Sequence, residues 1–130
     1  SDASANDTLR VVVASADSRF LRVARFLLSR KAFDVETSRD ARSLMKSSHP
    51  WDVVVLDSSA SLATTARVMR ELSVVNPSAG FVIVGDASSV GELDAAAPQA
   101  LRVLPKWESF DRLVDAIVLA SPAGRSAAGA

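Results

Sequence analysis

Three short runs, "VVVA" (11–14), "VVVL" (53–56) and "FVIV" (81–84), contain no polar residue. A strand with one wet face alternates apolar and polar side chains, so a run without alternation must be covered on both faces. Between the runs the apolar spacing is helical. In "SRFLRVARFLLSRK" (18–31), Phe20, Val23, Ala24, Leu27 and Leu28 form one stripe, with Asp17 or Ser18 as the cap. "DARSLMKSS" (40–48) brings Ala41, Leu44 and Met45 to helical spacing. "LATTARVMRELSVV" (62–75) does so through Ala66, Val68, Met69, Leu72 and Val75. "SFDRLVDAIVLA" (109–120) does so through Phe110, Leu113, Val114, Ile117 and Val118. A short helix at 90–97 stops at Pro98, and strands at 33–38 and 101–104 complete the order.

Strands separated by helices cannot pair as hairpins; they pair in parallel, through right-handed crossovers. The expected fold class is α/β: a doubly wound five-stranded parallel sheet with helices on both faces, (βα)5. The chain's 130 residues suffice for one such domain. The folded part is expected at 9–120, with a disordered tail at 1–8 and a linker-like tail, "SPAGRSAAGA", at 121–130.

Several function classes drop out. Fifteen Lys and Arg balance fifteen Asp and Glu, which argues against broad capture of nucleic acid or of an anionic membrane. No cysteine is present, which excludes disulfides, a thiolate nucleophile and a thiolate metal site. No apolar run has membrane-spanning length and "SDASANDT" has no signal-peptide pattern, so a cytoplasmic location is expected. "ASADS", after the first strand, has no glycine and so is no phosphate-cradling loop. The single histidine, His49, lies in a turn at the far end of the third strand, which leaves no Ser-His-Asp set. A non-enzymatic role is expected.

In open α/β sheets the ligand site lies at the carboxyl ends of the strands, where the winding direction reverses. Four points should converge there: Ser15, Ala16 and Asp17 after the first strand, Asp57 at the end of the third, Gly85 and Asp86 at the end of the fourth, and Lys106 after the fifth. A carboxylate placed directly after four apolar residues is costly unless it reaches such a rim.

Three segments, "VVVLDSS" (53–59), "RVLPKW" (102–107) and "LRVVVASADSRFLRVARFLLSR" (9–30), resemble bacterial response-regulator receiver domains, CheY-like and flavodoxin-like in fold. The resemblance spans about 9–120. It implies that Asp57 stands at the phosphoacceptor position and Lys106 at the phosphate-neutralising one. It also implies that the acidic pair that holds magnesium falls on Ser15 and Ala16. The switch hydroxyl falls on Gly85 and the switch aromatic on Val103. Ala60, Ser61 and Thr65 replace the family's loop after the phosphoacceptor. Trp107 stands where proline follows the lysine, so the Lys106–Trp107 peptide is expected to be trans; a cis bond is left open at Leu104–Pro105.

The resemblance therefore implies an atypical, or pseudo-, receiver: a signalling and protein-interaction module of a response regulator or related multidomain regulator, with no cofactor and no need of phosphorylation. Its expected partner is another protein or domain, or a second copy, met through the fourth helix, fifth strand and fifth helix with Trp107. An effector domain is expected in the full-length protein. Two alternatives stand. One is a genuine phosphoacceptor at Asp57, with magnesium held by Asp57 and Asp17 or Asp86. The other is a small-ligand site at the rim.

Each residue also has a plainer reading. Asp57 and Lys106 can form a direct ion pair, Asp17 can cap the first helix, and Asp86 can be a turn residue in "GDAS". Ser15, Ser58, Ser59 and Ser88 can offer hydroxyls to an anion. Arg19, Arg22, Arg25, Arg30, Arg39 and Arg42 form a basic stripe, read as a solvated face or as a surface for an acidic partner or nucleic acid. Trp107 reads as packing over the last helix or as an exposed contact anchor. Trp51 reads as a lid on the entrance to the third strand.

Overall fold

The computed structural model describes residues 8–46, 50–58, 62–85, 102–122 and 124. In chain order these form β1 (Leu9–Ala14), α1 (Ser18–Ser29), β2 (Phe33–Ser38), a 3₁₀ helix (Ala41–Lys46) and β3 (Val53–Asp57). They continue with α2 (Leu62–Val75), β4 (Gly80–Gly85), β5 (Arg102–Pro105) and α3 (Phe110–Ala120). The five strands form one parallel sheet in the order β2-β1-β3-β4-β5, as the helix-separated runs require. From β1 the winding goes one way to β2 and the other way to β3. The reversal opens a crevice between the carboxyl ends of β1 and β3.

The two-residue period of a strand sorts the apolar runs onto two cores. Val11, Val13, Val53, Val55, Val82 and Val84 pack against α1 and α3 through Phe20, Ala24, Leu28, Leu113 and Ile117. Val12, Ala14, Val54, Leu56, Phe81 and Ile83 pack against the 3₁₀ helix and α2 through Leu44, Val68, Met69 and Leu72. Burial of each of these larger side chains stabilises the fold by about 1.5–3 kcal/mol before entropy is counted, so neither layer is dispensable. Gly80 lets α3 close on the sheet, because a Cβ there would overlap the carbonyl of Ala120.

Two expectations need correcting. The segment at 40–48 is a 3₁₀ helix over Ala41–Lys46 rather than an α-helix. Ser43 closes a three-residue turn onto the carbonyl of Asp40, by both its N–H and its hydroxyl, and the Ser38 hydroxyl donates to the same carbonyl. Such local bonds compete with the four-residue ladder. The last strand reaches Pro105, which an edge strand tolerates. Among the described residues every peptide bond is trans, Leu104–Pro105 and Lys106–Trp107 included. The expected helix at 90–97, together with His49, Ser59, Ala60, Ser61, Asp86 and Ser88, lies outside the described residues. Of the expected tail at 121–130, Ser121 is buried, and its hydroxyl donates to the Val118 carbonyl and accepts from the Gly124 N–H.

Candidate functional site

Asp57 is the last residue of β3, and its side chain is only 4% exposed. Parallel pairing on both flanks places it. β1 runs out at Ala14 opposite Leu56, so Ser15 follows beside Asp57, and β4 sets Val84 opposite it. On the far side, the Lys106 N–H donates to the Gly85 carbonyl, which aims the lysine back across the ends of β4 and β3.

These residues close a ring. The backbone N–H of Asp17 donates to Ser15 Oγ at 3.0 Å. That hydroxyl donates to Asp57 Oδ2 at 2.6 Å. Lys106 Nζ lies 2.9 Å from the same Asp57 Oδ2 and 2.9 Å from Asp17 Oδ2. The ring thus returns to the residue where it began. Asp17 divides its two oxygens: Oδ1 accepts from the N–H groups of Arg19 and Phe20 and caps α1, while Oδ2 holds Lys106. The cap expected of Asp17 is present, and the ion pair is an addition to it. The ammonium also lies 5.5 Å from the centroid of the Phe20 ring, a cation–π contact on its apolar side.

The charges perturb one another. The hydrogen bond from Lys106, helped by that from the Phe20 N–H, holds the Asp17 carboxyl below its ordinary 3.8. Burial by itself disfavours the Lys106 ammonium, but hydrogen bonds to Asp17 and Asp57 outweigh it, so its pKa lies above the ordinary 10.5. The arrangement is a lysine fixed in its charged form between two carboxylates.

No family model matches the chain, and no curated protein matches it in sequence. Solved structures do match it in shape. A response regulator receiver domain protein from Clostridium thermocellum superposes with a TM-score of 0.72 at 20% identity, over 91% of this chain and 97% of that one. A CheY-like response regulator from Mesorhizobium loti gives 0.67 at 20% identity, over 88% and 100%. The fold is that of a receiver domain. A structure described as adenylate cyclase from Rhodopirellula baltica shares it, with a TM-score of 0.71 at 19% identity over 85% and 84% of the two chains.

Ser15 and Ala16, on which the resemblance puts the acidic pair, follow β1; Ser15 is buried in the ring and Ala16 is exposed. Gly85 ends β4 and offers only its backbone, and Val103 is partly buried against the α2 side of the sheet. The phosphoacceptor alternative calls for magnesium, and the donor set tests whether it fits. A hard divalent ion needs oxygen ligands in near-octahedral array, usually with one or two carboxylates. Here a fixed ammonium lies against both carboxylates, and the third oxygen is a neutral hydroxyl. The described residues contain no group of three acidic or imidazole side chains. As arranged, Ser15, Asp17 and Asp57 do not fit the ion; Asp86, the other ligand named for it, lies outside the described residues.

Trp107 is 55% exposed and meets the buried Phe20 edge-on, with 5.4 Å between ring centroids. It leans on α1 through Phe20, a contact that neither reading of Trp107 named, and it remains exposed as the contact-anchor reading requires. Trp51 is buried ahead of β3, and its indole N–H reaches Glu36 at 3.4 Å. On the other side of Asp57 lies a feature the sequence reading missed. A cleft of about 180 Å³ runs from Ser15 and Asp57 to Arg39, Arg42, Thr64 and Thr65. These four follow β2 or begin α2, at the same carboxyl rim, and that position was the available signal.

Proposed function

We propose that this receiver domain is a protein-interaction module of a signalling protein, whose rim is held by an internal cation and whose output does not depend on phosphorylation of Asp57. The single observation that carries this reading is the shared ammonium: Lys106 Nζ stands 2.9 Å from Asp17 Oδ2 and 2.9 Å from Asp57 Oδ2. A residue already compensated on its rim has little to gain from a divalent ion, and a transferred phosphoryl group would have to break the ring. The contact surface is the exposed side of α3, where Val118 and Leu119 are solvent-facing, together with Trp107. The expected partner is another protein, an attached effector domain or a second copy of the chain.

The test uses a small acyl-phosphate donor with magnesium, read by intact mass, alongside sedimentation over a range of concentrations. The proposal expects no phosphate-sized mass gain, and self-association or partner binding that the donor leaves unchanged. A gain that disappears in Asp57→Asn would overturn it in favour of a working phosphoacceptor. That second reading draws on the contact between Asp57 and Lys106 at the carboxyl rim. A third reading, a small ligand at the rim, draws on the cleft beside Asp57. A thermal shift with a metabolite set, without mass gain or association, would favour it.

A further inference from the structure

A second concave feature runs along the edge of the domain, between α1 and β2. The groove measures about 690 Å³, and its lining includes Leu21, Arg22, Arg25, Phe26, Arg30 and Arg39. No carboxylate lines it. The acids nearest in sequence are engaged elsewhere. Asp17 holds Lys106, and Asp34 lies 3.7 Å from Arg10. Glu36 accepts from Trp51, and Asp40 accepts from the Arg42 N–H. The groove's four arginines form no ion pair among the described residues.

The helix itself is unusual in this respect. α1 reads "SRFLRVARFLLS", with three arginines and no acid. Arg22 and Arg25 are neighbours at a spacing of three, and Arg19 and Arg22 lie toward the helix's positive end. Both placements are repulsive in the free domain. Phe26 is 61% exposed, with the Arg30 guanidinium 5.4 Å from its ring centroid. Beside it Leu21 is buried, so the floor of the groove is apolar and its flanks are cationic.

We propose that this groove docks an acidic segment of a partner protein. Carboxylates of the segment answer Arg22, Arg25, Arg30 and Arg39, and an apolar side chain of the segment covers Phe26. The complementarity is local: the chain as a whole balances 15 cationic against 15 anionic residues, so a phosphate polymer, which gains from many dispersed contacts, is the poorer match. The groove meets the rim cleft at Arg39, which lines both, and its other arginines lie away from Asp57 along α1.

The probe is a short fluorescein-labelled peptide of glutamates carrying two phenylalanines, titrated with the full chain and followed by fluorescence anisotropy. Saturable binding is expected, weakened about tenfold or more by Arg22→Glu with Arg25→Glu, and by about 0.5 M salt. Phe26→Ala is expected to weaken it about threefold or more. Arg67→Glu with Arg70→Glu, an equal charge change at two exposed positions of α2, is expected to leave it unchanged. Circular dichroism checks folding. Should a variant unfold, amide shifts of the wild-type chain on titration decide instead, and they must move along 18–30 and 37–39. Lack of saturable binding, equal loss in Arg67→Glu with Arg70→Glu, or shifts confined to another face would overturn the proposal. So would equal binding of a lysine counterpart of the peptide, or tighter binding of single-stranded DNA or phosphatidylserine vesicles.

Discussion

Lys106 at the rim lies within 2.9 Å of two carboxylates, whereas Arg22, Arg25, Arg30 and Arg39, along the α1–β2 edge, have no ion-pair partner among the described residues. The same helix serves both regions: its cap residue Asp17 belongs to the ring, and its body carries Arg22 and Arg25, two of the four unanswered arginines. The rim is built for internal consumption of charge. Its lysine is 11% exposed and Asp57 only 4%, so each would be expensive without the other. The edge is solvated, and its cations cost the fold little because water and salt screen them. The rim's charges are compensated inside the domain, and those along the concave edge are the ones that the proposed acidic segment would answer.

The largest effect is expected at the rim. Lys106→Met takes the cation from the nearly buried Asp57 carboxylate and should cost about 2–3 kcal/mol, somewhat under the range for a fully buried pair, in chemical denaturation. Adding Asp57→Asn to that variant should recover most of the loss, because the charge left without its cation is then gone; a double variant as unstable as the single one would break the contrast. Ser15→Ala removes the 2.6 Å bond to Asp57 and the acceptor for the Asp17 N–H. It should cost about 1.5–2 kcal/mol, in keeping with a hydrogen bond to a charged group.

The pH dependence sharpens the rim side. Asp17 has a lowered pKa, so its contribution is complete above 3.8 and is lost as pH falls through the lower folded value. Lys106 has a raised pKa, so its contribution is complete below 10.5 and is lost as pH rises through the higher folded value. Between 3.8 and 10.5 neither residue's contribution should vary. Asp17→Asn keeps the cap but not the charge. Its stability deficit should shrink on the acid side, as followed by thermal unfolding across pH. The smallest effect is expected at the edge. Arg22→Gln and Arg25→Gln should each change stability by about 0.5 kcal/mol or less, and toward greater stability at low salt, where like-charge repulsion is least screened. A clear destabilisation there would show that these arginines do have work inside the domain.

The apolar runs were legible because burial on both sides leaves no room for alternation, and the helices between them then require a parallel sheet. The same pattern located Asp57 and Lys106 on one rim. It misjudged 40–48, where serine and aspartate side chains tighten the turn, and it did not name Phe20 as the neighbour of Trp107. The tryptophan's neighbour is decided by which helix lies beneath the loop, and a residue count does not carry that.

The amino-acid order by itself determined the five-strand parallel architecture, the two-sided core and the set of polar residues brought to the carboxyl ends, since these follow from periods of two and about 3.6 read along the chain. Tertiary structure alone decided how those polar residues share their bonds. The ring joins Ser15 to Asp57 across 42 positions and Asp17 to Lys106 across 89, so strand register and helix entry had to bring four atoms within bonding distance at once. It also decided which arginines face a groove rather than open water. A carboxylate's or a guanidinium's meaning depends on its neighbours in space, and those are fixed by packing between layers that are remote in sequence.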